Sequence, residues 1–81
     1  IEVKTTLKVE DVDEHIERLS RFFECFPTFR GKKLYGGVAG LEFAGEADRY
    51  AYKKGLYVLT LKGDRVVEVV NDGKFRPKIW G

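Results

Sequence analysis

Two side chains near the start of the chain are the right types for phosphodiester chemistry. Glu2 and Lys4 lie two residues apart in Ile1-Glu2-Val3-Lys4. If this stretch is a strand, both project from one face, while Ile1 and Val3 project from the other. A carboxylate at such a place can hold Mg²⁺, which keeps several of its waters and takes only one or two protein carboxylates. A neighbouring ammonium can orient the attacking water or stabilise the negative charge that develops on phosphate. The chemistry also calls for a second carboxylate from an adjacent strand. As a tripeptide, Glu-x-Lys is far more often a solvated ion pair on a strand surface.

The rest of the sequence holds few other chemical groups. There is one cysteine, Cys25, and one histidine, His15. A disulfide framework and a single-chain Cys/His zinc site are therefore not expected. Cys25 reads as a reduced thiol on a helix, and His15 as a packing or surface residue. Gly36-Gly37-Val38-Ala39-Gly40 is no phosphate loop, because no Lys-Ser/Thr follows it and it lies within a strand rather than before a helix. In the tail, Phe75, Ile79 and Trp80 alternate with Lys74, Arg76 and Lys78. Cations interleaved with aromatics can bind single strands; a packing tail with Trp80 over the sheet is the favoured reading.

The elements that must position these groups follow from the hydrophobic pattern. Ile1 to Leu7 alternates as a strand. Asp11 with Glu14 three residues on suggests a capping box, and Val12, Ile16, Leu19, Phe22, Phe23 and Phe26 form a helical stripe ended by Pro27. Lys33 to Phe43 reads as a second strand and Glu46 to Lys54 as a short helix capped by Gly55. Leu56 to Leu61 is nearly continuously apolar, which suggests a strand covered on both faces. A tight turn at 62–65 leads into Val66 to Val70, and Asn71-Asp72-Gly73 is a further turn. The order β-α-β-α-β-β implies an α/β fold: a mixed sheet of about four strands with two helices, joined by right-handed crossovers.

The composition agrees with one small domain over residues 1–81. Apolar residues make up 43% and aromatic residues 14% of the chain, enough for a globular core rather than a disordered tail. No apolar run is long enough for a membrane helix, and no export signal is visible, so a cytoplasmic protein is expected. The formal charge is only +2. It is unevenly spread, with four basic against seven acidic residues in 1–29 and eleven against six in 30–81. The chain contains no methionine, and a piece of a longer protein is expected.

In this setting the chain resembles the PD-(D/E)XK nuclease superfamily, and more narrowly the C-terminal half of uncharacterised, mostly prokaryotic proteins assigned to it. The resembling segments are Glu2-Val3-Lys4-Thr5, the helix Val12 to Phe26 ending in Phe-Pro, residues 31–40, residues 51–58 and residues 71–77. The resemblance implies a truncated restriction-endonuclease-like core. Glu2 would be the acidic residue of the motif and a metal ligand, Lys4 its catalytic lysine, and Thr5 a secondary polar contact. Thr5 would be a nucleic-acid contact, and the interleaved tail offers Lys74 and Arg76 as further ones. It also implies DNA as substrate and Mg²⁺ or Mn²⁺ as cofactor of the complete site. The family's other acidic residue would lie on a strand preceding Ile1. Residues 1–81 alone are then expected to be inactive, with the strand of Glu2 at an open edge. An open edge invites pairing, with a second copy as a homodimer or with the N-terminal segment. The alternative is a non-catalytic module for nucleic-acid or protein contacts that keeps the fold.

Overall fold

In a computed structural model, residues 1–62 and 65–80 are described. The elements are β1 (Glu2–Leu7), α1 (Val9–Ser20), α2 (Phe22–Cys25), a 3-10 turn (Pro27–Phe29), β2 (Gly37–Phe43), α3 (Ala47–Lys53), β3 (Tyr57–Lys62) and β4 (Arg65–Val69). The four strands form one sheet in the order β1-β2-β3-β4. β1, β2 and β3 are parallel, with Glu2 beside Val38 and Val38 beside Val58, and β4 returns antiparallel to β3. The expected mixed α/β sheet is therefore present. Of the expected tight turn, Gly63 and Asp64 lie outside the described residues.

Parallel neighbours reached by right-handed crossovers in one direction put both connecting helices on the same face. The core sits between that face and the helices: Leu7, Val12, Leu19, Val38, Ala47, Ala51, Leu56, Val58 and Trp80. Gly36 allows the close approach of α1, since a Cβ there would lie 2.4 Å from Leu19 Cδ1 and 2.6 Å from Leu56 Cδ2. The other face is open among the described residues: Ile1, Val3, Leu41, Tyr57 and Val69 are all exposed. The apolar run of β3 thus does not mark a strand covered on both faces. Tyr57 is exposed and Leu59 half-buried, whereas Val58 is buried.

The helix expected from residue 12 to 26 differs from the structure at both ends. It starts at Val9, and Asp11 occupies the third position of its first turn, where Asp11 Oδ2 accepts the Lys8 N–H at 2.9 Å. Asp11 closes the cap from inside the helix rather than from its first residue. At the other end α1 stops at Ser20 and a separate turn, α2, follows. The phenylalanines therefore leave the core stripe. Phe26 and Phe29 are about half exposed, and Phe22 packs on both, with ring centroids 5.0 and 6.0 Å away. The second strand is also shorter than its pattern suggests. β2 begins at Gly37; before it, Leu34 forms an isolated bridge to Trp80 and the Gly36 carbonyl accepts the Tyr57 N–H.

The tail packs inward. The Trp80 N–H donates to the Leu34 carbonyl at 2.8 Å and the indole lies in the core. Phe75 is buried against Tyr52 and Tyr57. Asn71 extends the sheet with its side chain, its Oδ1 accepting the Val58 N–H and its Nδ2 donating to the Leu56 carbonyl. Gly55 fixes the tail against the end of α3. It has φ +85°, and a Cβ there would meet Lys78 Cβ at 2.5 Å and Lys78 N at 2.8 Å. Gly55→Ala combines left-handed strain with backbone overlap and is expected to cost about 1–3 kcal/mol. Urea unfolding of the two proteins measures it, and an unchanged midpoint would show that the tail is not held at this point.

Candidate functional site

Glu2 and Lys4 do project from one face of β1, and that face looks toward α1, with Glu2 half-buried and Lys4 exposed. α1 runs back along β1, so Asp11 comes near Lys4 and Arg18 near Glu2. Arg18 Nη1 donates to Glu2 Oε2 at 3.0 Å. Lys4 Nζ lies 3.9 Å from Glu2 Oε1 and 4.0 Å from Asp11 Oδ1. The carboxylates of Glu2 and Asp11 are only 21% and 18% exposed, against 43% for Lys4 and 61% for Arg18. The result is a line of alternating charge, Arg18–Glu2–Lys4–Asp11, between strand and helix. Partly desolvated charges are costly without partners, and each of these four has an opposite charge within 4.0 Å.

His15 lies in the same seam, on the helix between Asp11 and Arg18. It is 7% exposed, and its Nε2 is buried with no hydrogen-bond partner among the described residues. Its pKa is lowered from the ordinary value, first by burial, and the positive charge of Arg18 acts in the same direction. The Glu2 carboxylate and the Gly37 backbone act in the opposite direction. The imidazole is therefore held neutral near pH 7.

Three members of this cluster, Asp11, His15 and Arg18, escape a reading that looks only for motif residues. Their spacing, i, i+4 and i+7, marks one helix face, and that is the signal that could have found them. Thr5 is exposed, and among the described residues no hydrogen bond joins it to Glu2 or Lys4. Lys74 is exposed, and Arg76 Nη1 is taken up by the carbonyls of Gly73 and Phe75 in its own turn. Cys25 is a free, exposed thiol on α2.

Among the described residues no three His, Cys, Asp or Glu side chains converge on a point that could hold a metal ion. Each Glu2 oxygen faces a cation, Oε1 toward Lys4 and Oε2 toward Arg18. Asp11 faces Lys4 with one oxygen and caps α1 with the other. These residues offer one carboxylate on the strand and do not make a Mg²⁺ site by themselves. What the arrangement does provide is an ammonium pinned between two carboxylates at the edge of the sheet, with a guanidinium beside it.

The lowered pKa of His15 has a consequence for stability. The unfolded chain binds a proton near pH 6.5 and the folded chain only at lower pH, so the unfolded state holds more protons between those values. Folding stability should be full above about pH 6.5 and fall as pH drops from there toward the folded pKa. Urea midpoints at pH 7.5 and 5.5 test this, and His15→Gln should flatten the difference. An equal pH slope in that variant would assign the acid sensitivity to other groups.

No protein-family model, curated protein or solved structure matches the chain.

Proposed function

We propose that the chain is part of a metal-dependent nuclease of the PD-(D/E)XK type, acting on phosphodiester bonds in DNA. The observation that supports this reading is the placement of Glu2 and Lys4. They share a face of an edge strand, their charged groups 3.9 Å apart, and Arg18 and Asp11 of α1 bring opposite charges to within 4.0 Å of them. In this reading Lys4 stabilises the charge that develops on the scissile phosphate, and Asp11 and Glu2 hold its ammonium in place. Mg²⁺ or Mn²⁺ belongs to a completed site, in which a second carboxylate from outside residues 1–81 joins Glu2. The same reading gives the outer edge of β1, unpaired among the described residues, a partner strand from such a segment or from a second copy.

One observation favours a second reading, a nucleic-acid- or protein-binding module that keeps the fold without cleavage. Glu2 is already neutralised by Arg18 and Lys4, and a metal would have to compete with both.

Cleavage distinguishes the two readings. In a polypeptide that extends these residues with the second carboxylate, Mg²⁺-dependent nicking of plasmid DNA is expected. Lys4→Ala should lower it by roughly 10²–10³-fold, as removal of one charge-stabilising donor does elsewhere, while the far-UV circular dichroism stays the same. Unchanged cutting by that variant would remove Lys4 from the chemistry, and no cutting by the parent would favour the binding module. Residues 1–81 alone, in which Glu2 is the one carboxylate on β1, are expected not to cut.

A further inference from the structure

α1 runs antiparallel to β1, so its C-terminal end and the α2 segment lie at the end of the sheet where Glu2 sits. There the chain exposes aromatic rings. Phe26 is 51% and Phe29 48% exposed, and their centroids are 6.4 Å apart, with Phe22 half-buried beneath both. Six apolar or aromatic residues were expected to bury one long helix; the break at Arg21 instead turns these rings outward. The next residues are Arg30, Lys32 and Lys33, all exposed, and among the described residues none has a carboxylate within 4.0 Å. The nearby acid Glu24 is taken up by Arg21. Arg30 and Lys32 also line a cleft of about 390 Å³ with Phe23, Gly31, Ile79 and Trp80.

Exposed rings followed by unpaired cations fit one ligand chemistry better than others. Bases stack on aromatic faces and the phosphates between them meet the cations, without need of a fixed sequence. An acidic peptide would use the charges but not the exposed parts of the two rings, which meet edge to face at 63°. We propose that the segment from Phe22 to Lys33 binds single-stranded nucleic acid, with bases on Phe26 and Phe29 and phosphates at Arg30 and Lys32. This deepens the nucleic-acid reading above and places the strand at the Glu2 end of the sheet, but it does not depend on cleavage.

The test is fluorescence anisotropy of a labelled oligodeoxythymidine, about 15 nucleotides long, titrated with the chain at low salt in EDTA. Binding should be measurable in the micromolar range and weaken with salt. Phe26→Ala with Phe29→Ala should weaken it roughly thirtyfold or more, since each of the two stacked bases is worth at least about 1 kcal/mol, and Phe26→Tyr with Phe29→Tyr should restore it. Arg30→Ala with Lys32→Ala should reduce the logarithmic salt slope by roughly 1.4, at about 0.7 per phosphate contact on a single strand. Cys25, the one cysteine in the chain, sits on α2 and is exposed, so bound oligonucleotide should slow its alkylation. If the phenylalanine variant fails to fold, the Arg30/Lys32 variant and the alkylation rate decide. No binding up to about 100 µM, or equal binding by a folded alanine variant, would overturn the proposal. Because metal is chelated throughout, a failed cleavage assay leaves this readout intact, and absent strand binding leaves the Lys4 result standing.

Discussion

The structure depends on one constraint. Three parallel strands follow one another across the sheet, and the two crossovers that join them take the right-handed sense that such connections adopt. Both helices must then lie on the same face. The core becomes one-sided, with Val38 and Val58 beneath the helices and Tyr57 and Val3 exposed on the reverse. A four-stranded sheet with a single helical layer can bury only half of its surface. That is why a chain with 43% apolar residues still shows exposed apolar side chains on one face.

The same constraint sets the chemistry of β1. Glu2 and Lys4 fall on the helix-facing side of the strand, where apolar residues stand on β2 and β3. The strand tolerates them because α1 brings its own charges to meet them. Asp11 and Arg18 lie on the face of α1 that also carries His15, so the helix that closes the core also neutralises the strand. The seam is polar at the sheet edge and becomes apolar toward Leu7, Val12 and Val38. Exposed ion pairs of this kind add little to stability; here their effect is on position, fixing the ammonium of Lys4 between two carboxylates.

The tail shows how few polar contacts a small domain needs to close. Asn71 substitutes for a strand residue beside Leu56 and Val58, Tyr52 donates to Asp72, and the Trp80 amide pairs with Leu34. The Tyr52 hydroxyl, followed by local backbone amides, holds the Asp72 carboxyl below its ordinary pKa although burial opposes it. Tyr52, Tyr57 and Phe75 are brought together from separate parts of the chain, with ring centroids 5.0 Å apart in both contacts of Phe75. The cations Lys74, Arg76 and Lys78 are left on the outside, with Lys78 over the Trp80 ring at 4.4 Å.

By itself, the sequence determined the order of elements, the α/β class and the pairing of Glu2 with Lys4 on one strand face. These rest on local periodicity, and periodicity survives without tertiary context. Element ends were less legible. A lysine with no capping side chain begins α1, and Arg21 interrupts a stripe that reads as continuous, because caps and breaks depend on backbone geometry that residue types only bias. Tertiary structure alone decided which face of the sheet is covered. The apolar run of β3 looks the same whether one side or both are buried, and only the helices' placement tells them apart. It also decided who accompanies Glu2 and Lys4. Asp11, His15 and Arg18 share a helix face legibly enough, but that this face meets β1 follows from the crossover, a long-range pairing that no local pattern encodes.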